Sequence, residues 1–206
     1  MVPSATKLSE HFTAAELGAD KPEADNAIVA NLTMVAAYLE KIRRILSEAA
    51  GFEVPLKVNS GFRTEAHNDE VGGSKTSSHL KGLAGDFVPL NTRRPAGAPK
   101  MTMYRANRIL RDAIANKQLP PFDQFIYYPI QGHIHVGLDP SYRKQTLIRI
   151  AENRYTALTD DLLDRLPGFG AVIGQVGSAL SAVVDNQVSY FPLFVIVSII
   201  LLIALR

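Results

Sequence analysis

The chain has 206 residues, with 22 Lys and Arg against 20 Asp and Glu for a formal net charge of +2. That balance, with no basic stripe, excludes the electrostatic footprint of a nucleic-acid-binding protein; the length before the C-terminal segment suffices for one domain to bury a full core. The absence of Cys excludes disulfides and thiolate metal ligands and leaves the compartment open.

Residues 1–20 lack an apolar core and carry Lys7, Glu10, Glu16 and Asp20, so no secretory signal peptide is expected. Thr13 followed three residues later by Glu16 has the form of a capping box, with Phe12 and Leu17 placed as a hydrophobic staple. Ile28, Leu32, Val35, Leu39, Ile42 and Leu46 recur at three- and four-residue steps, which predicts one long amphipathic helix that Gly51 closes. Residues 54–58 and 87–90 read as strands and 103–115 as a second helix. The intervening residues 91–99 hold two Arg, two Pro and a Gly and read as a surface loop. Residues 123–128 and 134–138 are two further strands, with Gly132 in the short connection of a hairpin. The expected fold class is α+β, a small antiparallel sheet packed against helices.

The last forty or so residues change character. After Arg165 only Asp185 and Arg206 are charged, and residues 186–205 hold no formal charge. Twenty helical residues span about 30 Å, the thickness of a bilayer's hydrocarbon core, so a C-terminal transmembrane helix is expected. The alternative is a buried helix of a soluble core, against which the missing polar face argues. Residues 166–184 are uncharged and rich in Gly, Ser and Ala, and Gly170 and Gly174 form a G-x-x-x-G pair. A tether is the favoured reading there, with an interfacial helix or partial membrane insertion open. The expected organisation is a domain over residues 1–160, a tether or interfacial segment over 161–187 and an anchor over 188–206.

Chemistry concentrates in two segments. His79, Gly82, Gly85 and Asp86 lie within eight residues, and His133-Ile134-His135 follows about fifty residues on. A lone His is more often a surface or core residue than a ligand, but His79, Asp86 and His135 together supply two imidazoles and a carboxylate. Those ligand types leave a fourth position on Zn²⁺ open for water. Gly82 and Gly85 favour a tight loop or bulge that folds His79 and Asp86 together. In a strand His133 and His135 share a face, so one can bind metal while the other faces the reacting atoms.

Ser60-Gly61-Phe62-Arg63-Thr64, Val71-Gly72-Gly73-Ser74, Ser77-Ser78-His79 through Gly85-Asp86-Phe87, Phe122-Asp123-Gln124-Phe125-Ile126 and His133-Ile134-His135-Val136 occur in that order. Together they resemble the zinc D-Ala-D-Ala carboxypeptidase family, a branch of metallopeptidases that also includes lysostaphin-like enzymes and the hedgehog signalling domain. Leu8-Ser9-Glu10-His11-Phe12-Thr13 resembles the N-terminus of its phage and bacterial members, and the likeness spans roughly residues 8–140. The resemblance implies Zn²⁺ as cofactor, His79, Asp86 and His135 as its ligands, and Arg63 as a substrate contact. It also implies peptidoglycan stem or cross-link peptides as substrate.

One departure stands out. Relatives carry a glutamate just upstream of the last ligand, whereas this chain has no acidic residue between Asp123 and Asp139. His133 then inherits the role of proton acceptor or oxyanion stabiliser, with Asp123 either orienting it or serving as an ordinary strand-end carboxylate. The expected function is a membrane-anchored zinc metallopeptidase that opens the cell wall, a hydrolase whose partners are a peptidoglycan peptide and a lipid membrane. An N-terminus without a signal beside a C-terminal anchor suits a bacteriophage enzyme carried in a membrane-containing virion. An endolysin released through a holin and a bacterial tail-anchored wall-remodelling protein in the inner membrane are the alternatives. From another class, the competing function is a zinc-stabilised binding or structural module without turnover.

Overall fold

The computed structural model describes residues 2–151 and 154–159. They fall into two units that divide between Thr146 and Leu147. The first unit is an α+β layer structure. Helix α1 (Ala14–Leu17) is a single turn that begins with the expected capping box. The Thr13 side chain accepts from Glu16 N, the Glu16 carboxylate accepts from Thr13 N, and Gly18 ends the turn. Helix α2 (Asn26–Ala50) is the long helix: Asp25 caps its start by accepting from Ile28 N at 2.8 Å, and Gly51 closes it with φ 75°. Its stripe Leu32, Val35, Leu39, Ile42 and Leu46 is fully buried.

Strands β1 (Leu56–Ser60), β2 (Ala84–Pro89), β3 (Gln124–Tyr128) and β4 (His133–Gly137) form an antiparallel array in the order β1-β2-β4-β3. β3 and β4 are the expected hairpin, with Tyr128 opposite His133 and Gly132 N donating to Tyr128 O at 2.8 Å. Helix α3 (Glu65–Glu70) and a 3₁₀ turn (Ser78–Lys81) lie between β1 and β2, and helix α4 (Met103–Ala115) lies between β2 and β3. α4 buries Ala106, Leu110 and Ala113 and packs with α2 against the sheet. Side chains alternate across the strands. Phe87, Ile134 and Val136 are fully buried, and Gly85 sits against Val35 of α2, so this face meets the helices. Asp86, His133 and His135 alternate with those residues and occupy the opposite face. Each large apolar side chain buried under the helices contributes roughly 1.5–3 kcal/mol of transfer free energy.

Three expectations change here. Gly82 has φ 66° and ends the 3₁₀ turn, but Gly85 is a strand residue of β2 paired with Val136 and not part of a loop. Asp123 does not orient His133. Its carboxylate is fully buried and accepts from Arg143 Nη2 at 2.5 Å, Arg143 Nε and Ser141 Oγ at 2.8 Å, and Arg143 N at 3.0 Å. A hairpin that the sequence pattern did not predict, β5 (Gln145–Ala151) antiparallel to β6 (Arg154–Ala157), begins at the boundary of the two units. The expected tether and transmembrane anchor lie outside the described residues. Among the described residues no helix is long and apolar enough to cross a membrane.

The hydrogen bonds from Arg143 hold the Asp123 pKa down to about 2, against the opposing pull of burial. A carboxylate whose folded pKa is depressed stabilises the fold above its unfolded value and loses that contribution as pH falls through the folded one. Denaturant titrations should therefore show stability declining from about pH 4 towards pH 2, and Asp123→Asn should lower stability at neutral pH and flatten that decline.

Candidate metal centre

His79, Asp86 and His135 come together from three separate segments. The 3₁₀ turn presents His79, the middle of β2 presents Asp86, and β4 presents His135 directly opposite it in register. All three are buried, with 3%, 4% and 8% of their surface exposed. His79 Nε2 lies 3.2 Å from Asp86 Oδ1 and 3.2 Å from His135 Nδ1, and His135 Nδ1 lies 2.8 Å from Asp86 Oδ1.

The orientation of His79 comes from the β1 end. Val58 pairs with Phe87 but Ser60 pairs with Asp86, so Asn59 is an extra residue that bulges the strand and turns Ser60 to the Asp86 side. Gly61 follows with its carbonyl accepting from His79 Nδ1 at 2.6 Å. A Cβ on Gly61 would sit 2.2 Å from Leu17 O, so only glycine lets α1 approach this closely; Phe62 N then donates to Leu17 O at 2.8 Å. A neutral His79 ring with its proton on Nδ1 leaves the Nε2 lone pair aimed at Asp86 and His135.

Asp86 divides its two oxygens. Oδ1 faces both imidazoles, while Oδ2 accepts from Arg63 Nη2 at 2.5 Å. Burial alone would raise the Asp86 pKa, but the neighbouring rings of His79 and His135, by charge and hydrogen bonding when they are protonated, hold it well below the usual carboxylate range. Burial lowers the pKa of His135 against the opposing pull of Asp86, and likewise that of His133. Both rings thus favour the neutral form, which a ligand or a base requires.

The donor set fits zinc. A proton on His135 Nδ1 serves only one of the three close contacts, whereas a cation at the centre serves all of them. Tetrahedral bonds of about 2.0–2.1 Å place ligand atoms about 3.3 Å apart, close to the 2.8 and 3.2 Å separations here.

His133 stands on the same side of β4 as His135, and its Nε2 is 4.0 Å from Asp86 Oδ2, too far for a hydrogen bond. The Tyr128 ring stacks on it at 4.4 Å and 19°. Arg63 is beside the cluster, but its fork is directed inward: Nη2 binds Asp86 and Nε donates to Ser60 Oγ at 2.8 Å, with 16% of the side chain exposed. The other two histidines are elsewhere, His11 on Glu40 and His67 beside Glu70. The orienting carbonyl of Gly61 and the stacking ring of Tyr128 are contributions the sequence reading missed.

A model of the family described as Peptidase M15 matches residues 10–137, more than half of the chain. The chain belongs to the peptidase M15 family. The matched span contains β1 to β4 and every member of the cluster, and membership indicates a metallopeptidase. No curated protein matches the chain. In this M15 chain the Gly61 carbonyl supports the candidate ligand His79 from behind, and the loss of such a partner typically costs 10- to 100-fold in metal affinity. Chelator competition on Gly61→Ala protein, checked for native circular dichroism, should show zinc binding weakened by about that factor. His135→Ala should retain little of the roughly one equivalent of zinc expected in the wild type.

Proposed function

We propose that the protein is a membrane-anchored zinc peptidase that cuts stem or cross-link peptides of peptidoglycan. The observation that carries this reading is the buried His79–Asp86–His135 cluster with a second imidazole, His133, on its open side. Zinc at such a site lowers the pKa of water towards neutrality and polarises a carbonyl. The remaining work falls to side chains. His133, neutral and held flat against Tyr128, accepts the proton of the attacking water at Nε2 and returns it to the leaving amine. Arg63 fixes Asp86 by its Oδ2, which leaves Oδ1 towards the imidazoles. The exposed part of its guanidinium borders the cluster, where it can meet a substrate carboxylate.

A second reading has one observation in its favour, the absence of an acidic residue between Asp123 and Asp139. On that reading the metal is structural and the domain binds wall without turnover. Mass spectrometry of purified peptidoglycan after incubation with the zinc-loaded protein separates the two. Released D-Ala marks a carboxypeptidase, and uncrosslinked stem peptides mark an endopeptidase. His133→Ala should keep its zinc and lose roughly 10²-fold or more in rate. Zinc-loaded wild type inert on walls of several chemistries would favour the binding module.

The anchor rests on the uncharged run of residues 186–205. Full-length protein should sediment with membranes and resist alkaline carbonate extraction. Full-length protein that is monodisperse without detergent would place the run in a soluble core instead.

A further inference from the structure

A cleft of about 650 Å³ opens between α2 and the connection from α4 to β3. Leu119, Pro120 and Phe122 line it as apolar residues, and Lys41, Lys117 and Lys144 line it as cations. No acidic residue lines the cleft, and none of the three exposed lysines forms an ion pair among the described residues. Charges elsewhere on α2 are matched: Arg43 pairs with Glu40 and Glu53, and Arg44 with Glu48. The cleft thus concentrates uncompensated positive charge around an apolar floor.

The backbone adds a second observation. Lys117 and Lys144 have φ 57° and 55°, left-handed conformations that favour glycine and strain a lysine. Lys117 follows the C-cap Asn116, with Lys117 N donating to Ile114 O and Gln118 N to Ala113 O. Glycine is the common residue at such a helix end. A cation there complements the carbonyl end of α4, but that does not account for Lys144 or Lys41. Strain retained at two positions of one cleft points to a use for the side chains.

We propose that this cleft holds the phosphate headgroup of an anionic phospholipid, its lysines on the phosphate and its apolar floor against the glycerol and upper acyl chain. A free phosphate would use the lysines and leave the floor empty. An acidic peptide on its way to the metal is disfavoured, because the cleft belongs to the helix layer and the cluster lies on the other face of the sheet. A lipid contact on the helix side turns the metal face away from the bilayer, towards wall. The proposal rests on the reading of residues 186–205 as an anchor, which brings the domain to a membrane.

The test uses full-length protein on vesicles of phosphatidylcholine alone or with about one-third phosphatidylglycerol, with lysine acetylation rates read by mass spectrometry. Flotation with both vesicle types, and slower acetylation of Lys41, Lys117 and Lys144 only with phosphatidylglycerol, is the expected result. Flotation with equal rates on both overturns the headgroup site and leaves the anchor standing. Flotation with neither overturns the anchor, and the cleft is then decided by titrating short-chain phosphatidylglycerol in neutral detergent. There the K41Q/K117Q/K144Q protein should bind about tenfold or more weakly, whereas equal affinity of variant and wild type, or equal competition by inorganic phosphate, overturns the site. Lys117→Gly and Lys144→Gly guard against a purely structural role. Glycine relieves the backbone, so they should raise the unfolding temperature while weakening lipid binding; raised stability with unchanged binding counts against the proposal.

Discussion

The constraint on which the site depends is the placement of one ionised carboxylate inside protein. Asp86 is almost wholly buried in a central strand, and a buried charge persists only when paired and hydrogen-bonded. Each of its oxygens is answered from a different element: Oδ1 by the imidazoles of the 3₁₀ turn and β4, Oδ2 by Arg63 after β1. The strand order brings those answers together, because β1 and β4 flank β2 on its two sides. Arg63 N also donates to His79 O at 3.1 Å, which ties two of the partners to each other through the backbone. Truncating one partner therefore disturbs the others, and effects of substitutions within this group should not add.

Much of the fold was legible because its determinants are local. The capping box at Thr13 and Glu16, the apolar stripe of α2 and the stop at Gly51 each need only a few neighbouring residues to act. Helix α4 spans residues 103–115 as its periodicity predicts. Strands shifted by one to three residues, since ladder pairing sets where a strand ends and that partner is distant in sequence. β1 runs to Ser60 because Asp86 pairs with it, and β2 begins at Ala84 because Gly137 does. α3 and β6 were missed for a different reason. α3 holds the six residues EAHNDE, and all four residues of β6 are exposed, so neither carries an apolar period to read.

The candidate site divides in the same way. Residue type and spacing pointed to His79, Asp86 and His135, which converge, and the strand period put His133 beside His135. The part that stayed hidden is carried by groups without a side-chain signature. A backbone carbonyl orients His79, and a glycine is required at that position by the approach of Leu17, seen only once α1 is docked. Asp123 shows the converse: a carboxylate five residues upstream of Tyr128 looked available to His133, but its buried position and Arg143 commit it to closing a loop. The inward turn of Arg63 is likewise supported by Ser60, which the irregularity in β1 sets opposite Asp86.

That irregularity makes the chain unequally tolerant of changes in length. An even ladder with Asn59 retained would set Asn59 opposite Asp86 and Ser60 opposite Gly85, on the side packed by α2, so the segment carrying Gly61 and Arg63 would move off the His79–Asp86–His135 cluster. A residue added between Val58 and Ser60 would need a larger bulge or would shift Ser60 along the ladder, whereas loss of Asn59 alone would keep Ser60 opposite Asp86. Residues 91–99 carry no member of the cluster, and gaining or losing a residue among them leaves the register of β2 untouched. Variation in this chain's length should thus accumulate ahead of α4, and insertions should be purged at the end of β1, a pattern imposed by sheet geometry and not by the chemistry of any residue that would be inserted.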